Sequence, residues 1–221
     1  MGRVSFFLVF PLLGVGAAFA QAVDQQPYVI DTQGSDIHWR VYKAGALARF
    51  GHNHVISIDD FTGAVTVNTA DLSKSRFELE FPVTNLEVDD PTLRSRYGED
   101  FASVPSADDI AGTRNNMLGD RVLRAEEYPA LRITGTGPIG ADESQMFQIT
   151  VELLGHSVDL SVPTKVTLTG HTLEASGEFD LSHADLGMTP FSALAGALQV
   201  ADQMKFSYRI RAQRTDSPHA R

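Results

Sequence analysis

The chain has 221 residues, 18 Lys+Arg against 28 Asp+Glu, a formal net charge of −10 and no cysteine. That length fits one domain, and the acidic balance argues against a nucleic-acid partner, because binding to a phosphate backbone needs a positive surface. The absence of cysteine excludes a disulfide framework, a thiol nucleophile and a lipid-modified cysteine.

Residues 1–20 read as a leader: Arg3 gives a positive start, "VSFFLVFPLLGVGAAFA" is apolar throughout, and Ala18-Phe19-Ala20 has the small-x-small form of a cleavage site. An uncleaved anchor is the alternative, but the run is short for a span and is broken by Pro11, Gly14 and Gly16. The expected division is a signal peptide over 1–20 and a single domain over 21–221, with loss of Arg3 taking the net charge from −10 to −11. An export signal on a chain without disulfides suits a bacterial periplasm.

From there the hydrophobic pattern alternates by twos. "SDIHWRVYK" puts Ile37, Trp39 and Val41 on one face and His38, Arg40 and Tyr42 on the other. A short strand is expected near 54–59, and "FTGAVTV" groups Phe61, Val65 and Val67. "RFELEF" sets Phe77, Leu79 and Phe81 against Arg76, Glu78 and Glu80. Three apolar residues in step cannot trade places with three charges without burying those charges unpaired. Further strands are expected near 128–137, 147–153, 158–168 and 172–181, the last including Phe179. "QMKFSYRIRA" adds Met204, Phe206, Tyr208 and Ile210 on one face. A period of two with one wet face means antiparallel strands, about eight or nine of them.

Between Asp89 and Glu127 the alternation stops. A helix is expected over 106–119, with Ser106 as N-cap, Asp108 and Asp109 in its first turn, Gly119 at its stop, and Ile110, Met117 and Leu118 on its inner side. A second is expected over 189–196, with Thr189 as N-cap and Pro190 at the first helical position. Both could cover the mouth of a barrel. The pattern itself leaves open a closed barrel with a filled or hollow lumen and an ordinary packed sandwich.

The chemistry-bearing stretch is "RFGHNHVIS", where His52 and His54 share one face of a strand and Asn53 alternates towards solvent. A shared metal is geometrically conceivable, but no further ligands fall at a recognised spacing, and the nuclease reading of "HNH" lacks its further histidine. Ser57, Ser157 and Ser161 are outside any nucleophile elbow, and no phosphate loop is present. The residues therefore point away from an enzyme. Arg114, with Asn115, Arg121 and Arg124, lies close to the expected mouth and could meet a polar head group.

Several segments, in order, resemble the YceI-like family of bacterial periplasmic proteins: "YVIDTQGSDIHWRVY", "RFGHNHVISIDDFTGAV", "TRNNMLGDRVLRAEEYPALRI", "ELLGHSVDLSVPTKV" and "SGEFDLSHADLGMTPFSALAGALQVADQMKFSYRI". Together they span about 28–212, and two positions depart from the pattern: Met117 stands where a histidine is usual and Asn115 where an acid is usual. The resemblance implies an all-β, extended lipocalin-like antiparallel barrel of about eight strands with short helical insertions. It implies a polyisoprenoid, isoprenoid quinone or similar amphiphilic lipid as ligand; on the residues themselves, no cofactor and no metal are expected. The expected ligand-binding set is Trp39, His52, His54, Phe61, Phe77, Leu79, Phe81, Arg114, Met117, Phe179, Met204 and Phe206. Transient membrane contact and a homodimer stay open, as do two other functions: a packed structural or stress-response barrel, and a metal-dependent enzyme using His52 and His54.

Overall fold

A computed structural model describes residues 24–139 and 145–215; the expected leader and the last residues of the C-terminus lie outside it. Eight strands close a ring. They are β1 (Gln25–Ala44), β3 (Thr62–Asn68), β4 (Arg76–Pro82), β6 (Ala130–Ile139), β7 (Gln145–Leu153), β8 (His156–Thr169), β9 (Thr172–Ser182) and β11 (Leu198–Arg214), with β11 returning to pair β1. All pairings are antiparallel. Closure leaves the ring no free edge, which the sequence pattern alone could not decide against a sandwich.

The longest strand does two jobs. The first half of β1 pairs β3 from Gln25 to Val29, and its second half pairs β2 (His54–Ile58) from His38 to Val41. A register shift falls between them, between Asp31 and Asp36, where Gly34 donates to Asp31 Oδ1 at 3.0 Å. A Cβ at Gly34 would stand 2.4 Å from Asp31 Oδ2, so the bend suits a residue without a side chain. β2 in turn carries β5 (Leu86–Val88), and a two-residue β10 (Ser192–Ala193) lies beside β11.

Inward faces follow the alternation. Leu79, Phe81, Ile149, Val151, Leu153, Val162, Met204 and Ile210 are buried in one cluster, with Trp39, Phe77, Phe179 and Phe206 packed against it. Opposite them, Arg132 bridges Glu80 at 2.7 Å and Glu78 at 3.4 Å on the outer wall. Cross-strand register stacks three rings: Trp39 faces Phe206 at 5.5 Å between centroids and Phe206 faces Phe179 at 5.4 Å.

The 89–127 insertion divides between wall and mouth. Its first part, with α1 (Pro91–Arg94), packs outside β1 and β2, where Leu93 and Phe101 bury Val55 beside Tyr42 and Tyr97. This corrects the expectation of a wet outer face there. His38 is buried, with Nδ1 hydrogen-bonded to Asp36 Oδ1 at 2.7 Å and Nε2 meeting the Tyr97 hydroxyl. Asn53 is likewise not at solvent: it is 8% exposed, accepts from Lys43 N at 3.0 Å and donates to Asp100 O at 2.9 Å.

The second part is α2 (Ala107–Leu118), which starts at the expected cap. Ser106 Oγ accepts from Asp109 N at 3.2 Å, Asp109 Oδ2 accepts from Ser106 N at 3.1 Å, and the helix stops at Gly119. The helix expected over 189–196 does not form. Ser192 and Ala193 pair with β11 instead, and Leu194 and Ala195 take φ of 51° and 52°, which ends any right-handed helix. Edge pairing on β11 outcompeted a short segment whose helical signals were only Thr189 and Pro190.

Candidate functional site

Inside the ring runs a cavity of about 800 Å³, within the size range of small-molecule and cofactor sites. Its middle is walled by Ile37, Trp39, Val41, Ile56, Leu79, Phe81, Ile133, Phe179, Met204 and Phe206. Room comes partly from glycine. A Cβ at Gly135 would stand 2.4 Å from the Phe77 ring, and one at Gly177 would stand 2.7 Å from the Tyr208 hydroxyl, so these two positions let large rings lie against the wall.

The two ends differ in chemistry. At the hairpin tips the lining is Val67, Leu72, Phe147, Val166, Leu168 and Leu173, together with Ser75, Arg76 and Gln145. Tyr208 and Thr164 also line the cavity and are bonded to each other at 2.6 Å. Burial pushes the Tyr208 phenol up, the bond to Thr164 working against it. At the α2 end the lining is Lys43, His52, His54, Asp108, Asp109, Thr113, Asn116 and Met117. Asp109, Thr113 and Asn116 fall at i, i+4 and i+7, so the helix turns a polar stripe to the lumen while Ile110, Met117 and Leu118 pack on the core. His183 lines the same cavity, with Nδ1 donating to Asp202 O at 2.8 Å.

His54 is fixed from behind. Its Nδ1 lies 2.7 Å from Asp89 Oδ2, while Asp89 Oδ1 accepts from Val55 N at 2.9 Å and from Arg94 Nη1 at 2.5 Å. Asp89 has no exposed side-chain surface. Burial opposes its ionisation, but the His54 ring, the Val55 amide and Arg94 outweigh it and hold its carboxyl below the usual range. Arg94 also donates to the carbonyls of Asn53 at 2.6 Å, Phe101 at 3.0 Å and Ser103 at 2.8 Å. His52 is looser: Nδ1 is 3.3 Å from Ser103 Oγ and Nε2 is 4.0 Å from Asp109 Oδ2.

The row Asp89, His54, Thr113 has the order of a nucleophilic triad. Thr113 Oγ1 is 3.4 Å from His54 Nε2, however, and the carboxylate is shared with a buried guanidinium. What the row does is orient the ring. No three His, Cys, Asp or Glu side chains gather as a metal set among the described residues.

Ten of the twelve expected ligand-binding residues stand on the cavity wall: Trp39, His52, His54, Phe77, Leu79, Phe81, Met117, Phe179, Met204 and Phe206. Two do not. Phe61 precedes β3 and is buried behind Phe81, their rings 5.1 Å apart. Arg114 faces away from the lumen and donates to Leu86 O at 3.4 Å and to Thr84 O at 2.5 Å, tying the helix to β5. The residues that sequence reasoning missed are Asp89 and Arg94, which position His54, and Thr113 and Asn116. The helical spacing of the last two carried the only available signal.

Comparison with known proteins places this geometry. The model of the YceI-like domain matches residues 28–212. The crystal structure of Burkholderia cenocepacia BcnA superposes with a TM-score of 0.60 at 12% identity, covering 83% of this chain and 99% of that one. The Campylobacter jejuni YceI protein gives 0.52 at 12% identity, covering 73% and 85%, and a mutant of it with a monobromobimane guest matches equally. These likenesses show the fold. No curated protein matches the chain.

Proposed function

The chain belongs to the YceI-like family, and we propose that its barrel carries an amphiphilic lipid with an isoprenoid-type tail, without covalent chemistry. The observation behind this reading is the cavity: about 800 Å³, apolar along its middle, with its largest group of polar side chains at the α2 end. That polarity matches a molecule with a long tail and one small head. Burying about a dozen methylene-sized groups at ~0.8 kcal/mol each contributes roughly 10 kcal/mol gross, before the costs of ordering tail and side chains. Carriage is proposed for the periplasm, on the leader-like sequence of residues 1–20.

The test is organic extraction of the purified protein followed by mass spectrometry. A polyprenyl species in stoichiometric amount is the expected result. Well-folded protein that is consistently empty, and that takes up no prenyl lipid when offered one, would refute it.

A further inference from the structure

We propose that the α2 end of the cavity is built to receive a hydrogen-bond donor, so that the preferred lipid carries a free hydroxyl rather than a phosphate ester or a bare ether or carbonyl oxygen. This rests on the lipid-carrier reading and deepens it by naming the head group.

The argument starts at His54. Asp89 already accepts from Val55 N and from Arg94, at 2.9 and 2.5 Å, so it meets His54 Nδ1 as an acceptor and fixes the ring proton on that atom. In the neutral ring Nε2 is then left with a lone pair at the cavity wall. Its one partner, Thr113 Oγ1 at 3.4 Å, is a long hydrogen bond that a ligand hydroxyl can replace. A ligand hydroxyl can donate to this nitrogen. An ether or carbonyl oxygen cannot.

Charge points the same way. Asp108 and Asp109 line this end, and a phosphate would sit against both carboxylates. The start of α2 would ordinarily attract an anion, but its capping box joins Ser106 and Asp109, so the chain's own side chains occupy that role. Three of the nearby cations are held by carbonyls. Lys43 Nζ donates to Gly51 O at 3.0 Å, Arg114 to Thr84 O at 2.5 Å and Arg121 to Ser192 O at 2.5 Å.

Trp39, the only tryptophan, stands on the cavity wall, so its fluorescence reports occupancy. Delipidated protein at pH 8 is titrated with three probes sharing one tail: geranylgeraniol, its methyl ether and its monophosphate. The alcohol should bind about tenfold more tightly than the ether, the size of one hydrogen bond in a dry site, and more tightly than the monophosphate. His54→Leu should bring the alcohol to the level of the ether and leave the ether unchanged. The Asp108→Asn, Asp109→Asn double variant, which keeps amide acceptors at the cap, should strengthen monophosphate binding severalfold and ether binding not at all. It also tests the proposal should His54→Leu fail to fold. Equal affinities for all three probes, or tightest binding of the monophosphate, would overturn the donor proposal while leaving the carrier reading intact. No binding of any probe would sink both.

Discussion

Replacing Arg94 with leucine tests the frame that holds His54. The side chain is buried, at 7% exposure, and donates to Asp89 Oδ1 and to the carbonyls of Asn53, Phe101 and Ser103. Leucine fills part of the volume but leaves a fully buried carboxylate without its guanidinium and three carbonyls without a donor. Breaking a buried pair from one side costs about 3–5 kcal/mol, most of it the desolvation of the group left behind. For a domain of this length that corresponds to a drop in melting temperature of roughly 6–20 °C. The pH dependence separates this cause from simple loss of packing. Asp89 is held below the ordinary carboxylate range, with burial opposing and His54, the Val55 amide and Arg94 prevailing. Its folded pKa is thus lower than its unfolded one. It stabilises the fold above the unfolded value, about 3.9, and that contribution is lost as pH falls towards the folded value. The gap between wild type and variant should therefore be widest near pH 7 and narrow below about pH 4, as Asp89 becomes protonated in both. Urea denaturation at a series of pH values measures it. A gap under about 1 kcal/mol at pH 7, or one unchanged at pH 3, would refute the assigned role.

Leu79 is buried between Phe77 and Phe81 on the inner face of β4, so Leu79→Ala should cost about 2–5 kcal/mol by urea denaturation. Leu79→Asp should abolish both folding and lipid content, and a folded, lipid-loaded Asp variant would show the inward assignment to be wrong. At Gly135 an added methyl meets the Phe77 ring at 2.4 Å and Gln148 O at 3.0 Å. Gly135→Ala should push Phe77 into the lumen, destabilise by about 1–3 kcal/mol and weaken long-tailed ligands more than short ones. Equal weakening for all tail lengths in a titration followed through Trp39 would place the fault in folding rather than in the bore.

What could be read from the sequence was whatever depended on a short period. The alternation in "RFELEF" and "QMKFSYRIRA" fixes which residues of β4 and β11 meet the cavity, because a one-residue slip would bury Glu78, Glu80 or Lys205. The start of α2 was equally legible, since a capping box is local: Ser106 and Asp109 find each other within one turn. Failures came where long-range packing overrode a local rule. Asn53 alternates outward from β2 as expected, but the 91–101 segment lies on that face and turns an exposed position into a buried one. Arg114 sits one residue from Thr113, and a step of 100° on the helix sends it to the Thr84 and Leu86 carbonyls instead of to the lumen. Phe61 keeps the parity of Val65 and Val67, yet it precedes the first paired residue of β3, and its ring closes under Phe81. The stretch "RFGHNHVIS" is the same case in miniature. His52 and His54 share a face as the period requires, but Asp89 and Arg94, some 35 to 40 positions on, make His54 an oriented acceptor. Its chemistry belongs to a contact between β2 and a distant turn, and no pattern of spacing within "RFGHNHVIS" contains it.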